Sequence, residues 1–324
     1  MPHNENRMLQ ENKQADIHAS TYHIPVLLKE SVEALITRKE GVYIDATLGG
    51  GGHSTAILEN LGPKGHLYGF DQDADAKNNA PLDSRFTFVA SNFRYIRYWM
   101  DYYGIGGIDG LIADLGVSSH HFDTPDRGFS FRFEEAIPDM RMNRLARLSA
   151  KEYLQEANEE RLTDIFRAYG ELTDAARLAQ IIVSQRAVQP LDTMRDLLAC
   201  LAVALPKHPQ QRHRKLSRIF QALRIAINDE MGALRELLDA AGDLLLPGGR
   251  LVILTYHSLE DRIVKKWIQR ESLAEGTEEE RLIYGTRPGK MKAVKGFSSK
   301  PNKDEIARNT RASSANMRIA ERLP

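Results

Sequence analysis

The stretch 43–58 reads YIDATLGGGGHSTAIL, in which Asp45 is followed by four consecutive glycines and then by His53 and Ser54. Asp71 comes twenty residues beyond Gly51, in GHLYGFDQD, and Asp114 closes an apolar run in IDGLIADLGVSSHH. Glycine inside a regular element costs roughly 0.5–1 kcal/mol relative to alanine, so four in a row imply a backbone that a ligand must touch. An apolar run, a glycine turn, a helical pattern and an acid ending the next apolar run compose a nucleoside-binding unit. Its glycines admit the ligand, its helix N-terminus points amides at it, and its acid accepts the ribose hydroxyls.

The kind of nucleoside is narrowed by what is missing. Gly49 and Gly51 are followed by Ser54 where a dinucleotide fingerprint has a third glycine or alanine, and no hydride-transfer set follows. A cofactor with one ribose and no pyrophosphate fits better, which points to S-adenosylmethionine. Phe93, in SNF after the third apolar run, stands where an adenine could stack, or serves as core. Asp114 ends the fourth run, where it could touch the methionine moiety or a target amine, or simply cap a turn.

These residues need a sheet to hold them. Apolar segments at 42–48, 65–73, 85–90, 108–116 and 248–258 read as strands separated by helical stretches, which predicts an α/β, doubly wound, mainly parallel sheet of Rossmann-like form with ligands at the carboxyl ends of its strands. More than 120 residues between the fourth and fifth runs carry no strand pattern. Ser149 and Glu152 form a capping-box pair there, and the apolar residues Leu216, Ile219, Phe220, Leu223, Ile227, Met231, Leu234 and Leu238 predict one long amphipathic helix. The expected organisation is a mobile tail at 1–20, a discontinuous sheet domain at 21–144 and 215–324, and an inserted helical substrate domain at 145–214.

Lys and Arg number 44 against 44 Asp and Glu, so the formal net charge is zero, yet the cations cluster. Arg212, Arg214, Lys215 and Arg218 lie in a stretch without acids, and Lys290, Lys292 and Lys295 begin a polar C-terminal segment expected to be mobile and to close over the cleft on a polyanionic substrate. A solvated face is the plain alternative. Cys200 is the sole cysteine, which excludes a disulfide framework and a thiolate zinc cluster and suits a reducing, cytoplasmic compartment. No segment resembles a signal peptide or a membrane span, and no metal site is expected. The sequence leaves monomer and homodimer open.

HIPVLLKESVEAL, YIDATLGGGGHS, FDQD, IDGLIADLGVSS, RGFSFR, DMRM, FQALRIAINDE, LLPGGRLVILTYHSLEDRIVKKW and NTRASSANMRIAER together resemble the bacterial 16S rRNA (cytosine-N4)-methyltransferase family, from about residue 23 to 322. The resemblance implies methyl transfer from S-adenosyl-L-methionine to the exocyclic amine of a cytidine in the decoding region of small-subunit rRNA. It also implies cofactor contacts at Gly51, Gly52, His53, Asp71, Phe93, Asp114 and His121. The chain departs from the family's pattern at His120-His121, where Pro-Gln is common, and at 309–314, which lacks a proline and an arginine.

The nitrogen of a cytosine amine is a poor nucleophile because its lone pair is delocalised into the ring. A catalyst must therefore accept the amine protons and align the nitrogen with the methyl group. Asp114 is the best placed acceptor. Asp139 in PDMRM and His257 in YHSLEDR come second, each with a structural alternative, His257 as a partner of Glu260 or Asp261. Two other classes stay open: a non-catalytic RNA-binding or assembly factor, and a nicotinamide-dependent oxidoreductase.

Overall fold

The computed structural model of the chain describes residues 25–272 and 289–324. The tail expected at 1–20 lies outside them, as does 273–288.

Short apolar runs become strands and longer periodic ones helices. In chain order the sheet half begins α1 (Leu28–Leu35), β1 (Val42–Asp45), α2 (Gly52–Asn60), β2 (His66–Asp71), β3 (Phe86–Ala90), α3 (Ile96–Tyr102), β4 (Ile108–Asp114) and a short α4 (Ser119–Asp123). Helices follow: α5 (Ala150–Glu156), α6 (Glu159–Ala168), α7 (Ala175–Arg186), α8 (Met194–Leu201), α9 (Pro209–Asn228) and α10 (Glu230–Leu244). The chain then returns to the sheet with β5 (Leu245–Thr255), α11 (Ser258–Ser272), β6 (Met291–Ala293), α12 (Lys303–Arg308) and β7 (Asn316–Arg322). The capping box read at Ser149 and Glu152 is present and opens α5.

The sheet order is β3-β2-β1-β4-β5-β7-β6, with β1 to β5 parallel and β7 antiparallel to both of its neighbours. Strand order reverses between β1 and β4, which opens a crevice outside their carboxyl ends. Because successive strand residues point to opposite faces, Ile44, Leu111 and Ile253 join one apolar cluster with α10 and α11, while Tyr43, Ile112 and Val252 join another with α1 and α2. Both faces of the central strands are covered, which is why VYID and IDGLIAD are buried along nearly their whole length.

The helical segment packs a third cluster of its own, and Cys200 is buried within it. That cluster also takes Phe129, Met140 and Met142 from the loop before α5 and Leu216, Ile219, Phe220 and Leu223 from α9. The helical core is thus wider than 145–214.

Two expectations are corrected. The helix read through 216–238 is two helices, broken at Asp229, which sits in the left-handed region at φ 47° and ends α9. Asp tolerates that conformation better than most residues, and the bend is held by Arg224 donating to both oxygens of Glu230 at 2.7 and 2.8 Å and by Arg94 on Asp229 at 2.5 Å. The apolar stripe divides accordingly, its first half in the helical core and Leu234 and Leu238 in the sheet core. The C-terminal segment from 289 is folded onto the sheet, not loose over the cleft. β6 pairs with β7, Lys292 bonds Glu321 at 2.9 Å, and Glu321 also accepts from Arg250 at 3.1 Å. Since Arg250 opens the paired part of β5 and Thr255 closes it, this charge ladder lies at the amino end of the sheet, opposite the crevice.

Candidate active site

The acids that end β1, β2 and β4 meet around the glycine turn. Asp45 is 1% exposed and accepts from Ser54 Oγ at 2.7 Å and Thr47 N at 3.1 Å. Asp71 accepts from Gly49 N on one oxygen at 2.9 Å and from Asp73 N on the other at 2.8 Å. Gly51 adopts φ 77° as N-cap of α2, and a side chain there would collide with the Asn79 carbonyl, so the turn tolerates only glycine. Asn79 in turn donates to Gly49 O at 2.7 Å.

Asp114 is held at two points. Its backbone N–H donates to Thr47 Oγ1 at 2.7 Å, and its Oδ1 accepts from the Tyr256 hydroxyl at 2.7 Å. Its Oδ2 lies 3.8 Å from His53 Nδ1 and receives no hydrogen bond from the described residues. The Asp114 side chain is 25% accessible and lies between Thr47 and the cleft-lining residues Leu115 and Gly116. Burial pushes it up to about 7 despite the Tyr256 bond, and the Glu260 charge adds to the rise. Asp71 is raised to about 6, also by burial, against the two amide bonds. Burial raises Asp45 and lowers His53, and the His53 Nε2 is buried with no hydrogen-bond partner among the described residues.

The cleft beside them is lined by Thr47, Phe93, Gly116, Met142, Asn228 and Met231. The Tyr256 ring covers Gly116, whose φ of 112° turns the chain beneath it. Asn228, at the end of α9, accepts from Met142 N and donates to Met140 O, both at 2.8 Å, and so ties the helical half to the cleft wall. Gln221 and Arg224, on the same helix, bond Tyr169 O and Glu230.

Several predicted residues are engaged elsewhere. Asp139 holds Arg141 through both oxygens, at 2.8 and 2.7 Å. His257 Nε2 is 3.1 Å from Glu260 Oε1, the pairing foreseen as its structural alternative. His121 caps α4 with Ser118 and donates from Nε2 to Asp73 Oδ2 at 2.8 Å, which orients it toward the loop after β2. Lys215 bonds Asp174 and Ala204 O inside the helical half, whereas Arg212 and Arg214 are exposed and Arg218 half-buried. Glu230, His257 and Glu260 gather closely enough to suggest a metal cage, but Arg224 already neutralises Glu230, and Glu260 Oε2 accepts from Tyr256 N and His257 N.

Sequence reasoning missed Tyr256 and Arg127. Arg127 is 1% exposed and joins Asp73 at 2.9 Å to the carbonyls of Arg141 and Met142. Gly128, at φ 66°, makes the turn after it, where any side chain would strike the backbone of Ile137 and Asp139. Both residues stood in recognisable strings, RGFSFR and YHSLEDR, without a signal for which member mattered.

A doubly wound sheet in this strand order, with a glycine turn after β1, an acid ending β2 and a further acid at the switch point, has the form of a Rossmann-like methyltransferase of the S-adenosylmethionine-dependent class. The chain belongs to the MraW methylase family, whose pattern it matches over residues 20–323. It is 48% identical over 305 residues to ribosomal RNA small subunit methyltransferase H of Parabacteroides distasonis, covering 94% of this chain and 98% of that one. The like-named protein of Phocaeicola vulgatus is 49% identical over 302 residues, covering 93% of this chain and 97% of that one. That of Christiangramia forsetii is 47% identical over 302 residues, with 93% and 98% covered.

Proposed function

We propose that this protein methylates the exocyclic N4 amine of a cytidine in the decoding region of 16S rRNA, within the small ribosomal subunit and in the cytoplasm. Its relatives are named small-subunit rRNA methyltransferases, and no helix among the described residues is long and apolar enough to cross a membrane. The observation that carries the reading is Asp114, whose Oδ1 is fixed by Tyr256 while Oδ2 receives no hydrogen bond from the described residues and the side chain stays partly accessible.

The residues fit an adenosine cofactor. Gly51 and Gly52 bring backbone to it, Asp71 keeps a free lone pair on each oxygen for the ribose hydroxyls, Phe93 offers a face to the adenine, and His53 Nε2 is a buried polar atom without a partner. When bound, S-adenosylmethionine supplies an electrophilic sulfonium methyl group. Asp114 Oδ2 accepts an amine proton, which lets the nitrogen pyramidalise and direct its lone pair at the methyl carbon. Asp114 would take up the amine proton that methyl transfer from the bound cofactor displaces. A carboxyl poised near 7 can take it up and release it to water without a large energy gap. Tyr256 donates to Asp114 throughout, so the acid does not swing away from the cleft.

Purified protein, small subunits and tritiated S-adenosylmethionine test the reading, with nucleoside mass spectrometry of the product. Incorporation as N4-methylcytidine is expected. Label in another nucleoside, or binding of NAD in place of S-adenosylmethionine by calorimetry, would overturn it.

A further inference from the structure

We infer that the turn at 143–147 is an RNA-contact surface, in which Arg144 and Arg147 neutralise phosphates beside the target nucleotide and Leu145 packs against a neighbouring base. The inference rests on the rRNA reading above and names the part of the chain that meets the RNA.

The turn is built. Asn143 Oδ1 accepts from Leu145 N at 2.9 Å, Ala146 N donates to Asn143 O at 2.9 Å, and Arg141 Nη1 donates to Ala146 O at 2.8 Å. Arg141 is itself locked on Asp139. The residue just before the turn, Met142, lines the cleft and is anchored from two directions, through Asn228 on its N–H and Arg127 on its carbonyl. The turn is therefore fastened next to a cleft-lining residue, with Arg144, Leu145 and Arg147 exposed on it.

What it displays is unusual for a solvated loop. Leu145 is 94% exposed, and Arg144 and Arg147 on either side are exposed and form no ion pair with the described residues. Two of the other cations considered for RNA contact are neutralised, Lys215 by Asp174 and Lys292 by Glu321 at the opposite end of the sheet, while Arg212 and Arg214 are exposed on α9 without an apolar side chain such as Leu145 between them. Two unpaired guanidiniums flanking one apolar side chain suit a single strand better than a protein groove. Their planar forks match phosphate oxygens, and an apolar side chain covers an unstacked base. A rigid turn also loses little entropy when it engages, so its contacts contribute more fully to affinity.

The test is filter binding of small subunits, and of free 16S rRNA, across a salt series. Arg144→Gln/Arg147→Gln should lower the slope of log affinity against log salt by about 1.4–1.8, at roughly 0.7–0.9 per phosphate contact, on both ligands. Affinity for S-adenosylmethionine and circular dichroism should stay as in the wild type. Leu145→Ser should keep the salt slope and reduce methyl incorporation. The control Lys290→Gln/Lys292→Gln/Lys295→Gln should retain the wild-type slope. An unchanged slope in the double arginine variant overturns the inference, as does a loss seen on subunits but not on free RNA, which would place a ribosomal protein on the turn. Wild-type protein that methylates neither ligand would instead overturn the rRNA reading, and that outcome is separate because it is read without any variant.

Discussion

Asp71 and Asp73 are two residues apart, both at the end of β2, and their environments drive them in opposite directions. Asp71 has only amide donors and is pushed up to about 6 by burial. Asp73 faces the loop side, and although burial acts on it too, the bonds from His121 and Arg127 outweigh that effect and hold it well below the usual carboxylate range. The same division runs through the site. Asp45 and Asp114, without a cation in contact, are raised, whereas Asp139 with Arg141 and Glu260 with His257 and Arg224 nearby are lowered against their own burial. A buried acid that already holds its cation is part of the scaffold; one left without it can hold a ligand or take a proton.

The largest expected effect comes from breaking the scaffold side. Arg127→Met leaves Asp73 buried without its guanidinium and held by His121 alone, and removing one partner of a buried pair costs about 3–5 kcal/mol. Chemical denaturation should show a loss of that order, and a change below about 1 kcal/mol would mean that Asp73 is not a scaffold acid.

Asp71→Ala acts on the other side. Two charge-assisted bonds to a ribose are each worth roughly 1.5–3 kcal/mol, so affinity for S-adenosylmethionine should fall at least about tenfold while the melting curve remains cooperative. An unchanged dissociation constant by calorimetry would remove Asp71 from the cofactor site.

The smallest effect, and the sharpest, concerns the bond between Tyr256 and Asp114. The groups facing Asp114 are His53 and Asp45 from the glycine-turn side, and Tyr256 and Glu260 from the segment after β5, with Glu305 acting on Tyr256. The Tyr256 donor stabilises the ionised carboxylate, so Tyr256→Phe lets burial push Asp114 further above 7. If the ionised form is the acceptor, the acidic limb of the methyl-transfer rate should move to higher pH by about one unit, with activity recovered on the alkaline side, since one unit corresponds to about 1.4 kcal/mol. A limb that stays in place with a uniformly lower rate would make Tyr256 a packing residue only.

How much of this was legible in the sequence differs by region. Strands β1 to β5 are apolar runs ended by acids or turn residues, and burial on both faces writes them plainly. β7 was not legible because Arg318, Glu321 and Arg322 interrupt it; Arg318 is accommodated by Asp261, Glu321 by Arg250 and Lys292, and Arg322 by Gly242 O, all outside the strand. The break at Asp229 was hidden for the opposite reason, since the apolar stripe continues through Ile227 and Met231 as if the helix were unbroken. Asp71 and Asp114 could be picked out because strand ends at a switch point have a fixed place in such a sheet. Nothing in one sequence couples Arg127 to Asp73, 54 residues away, or Tyr256 to Asp114, 142 residues away.

The central claim is that Asp114 Oδ2 accepts the proton of the target amine. Single-turnover methyl transfer to small subunits by Asp114→Asn, alongside calorimetric binding of S-adenosylmethionine, tests it most directly. The amide is close in shape but a far weaker base, so the rate should fall by a factor of about 10²–10⁴, the usual weight of general acid–base catalysis, with cofactor affinity changed little. A variant that transfers methyl groups at near the wild-type rate would contradict the claim.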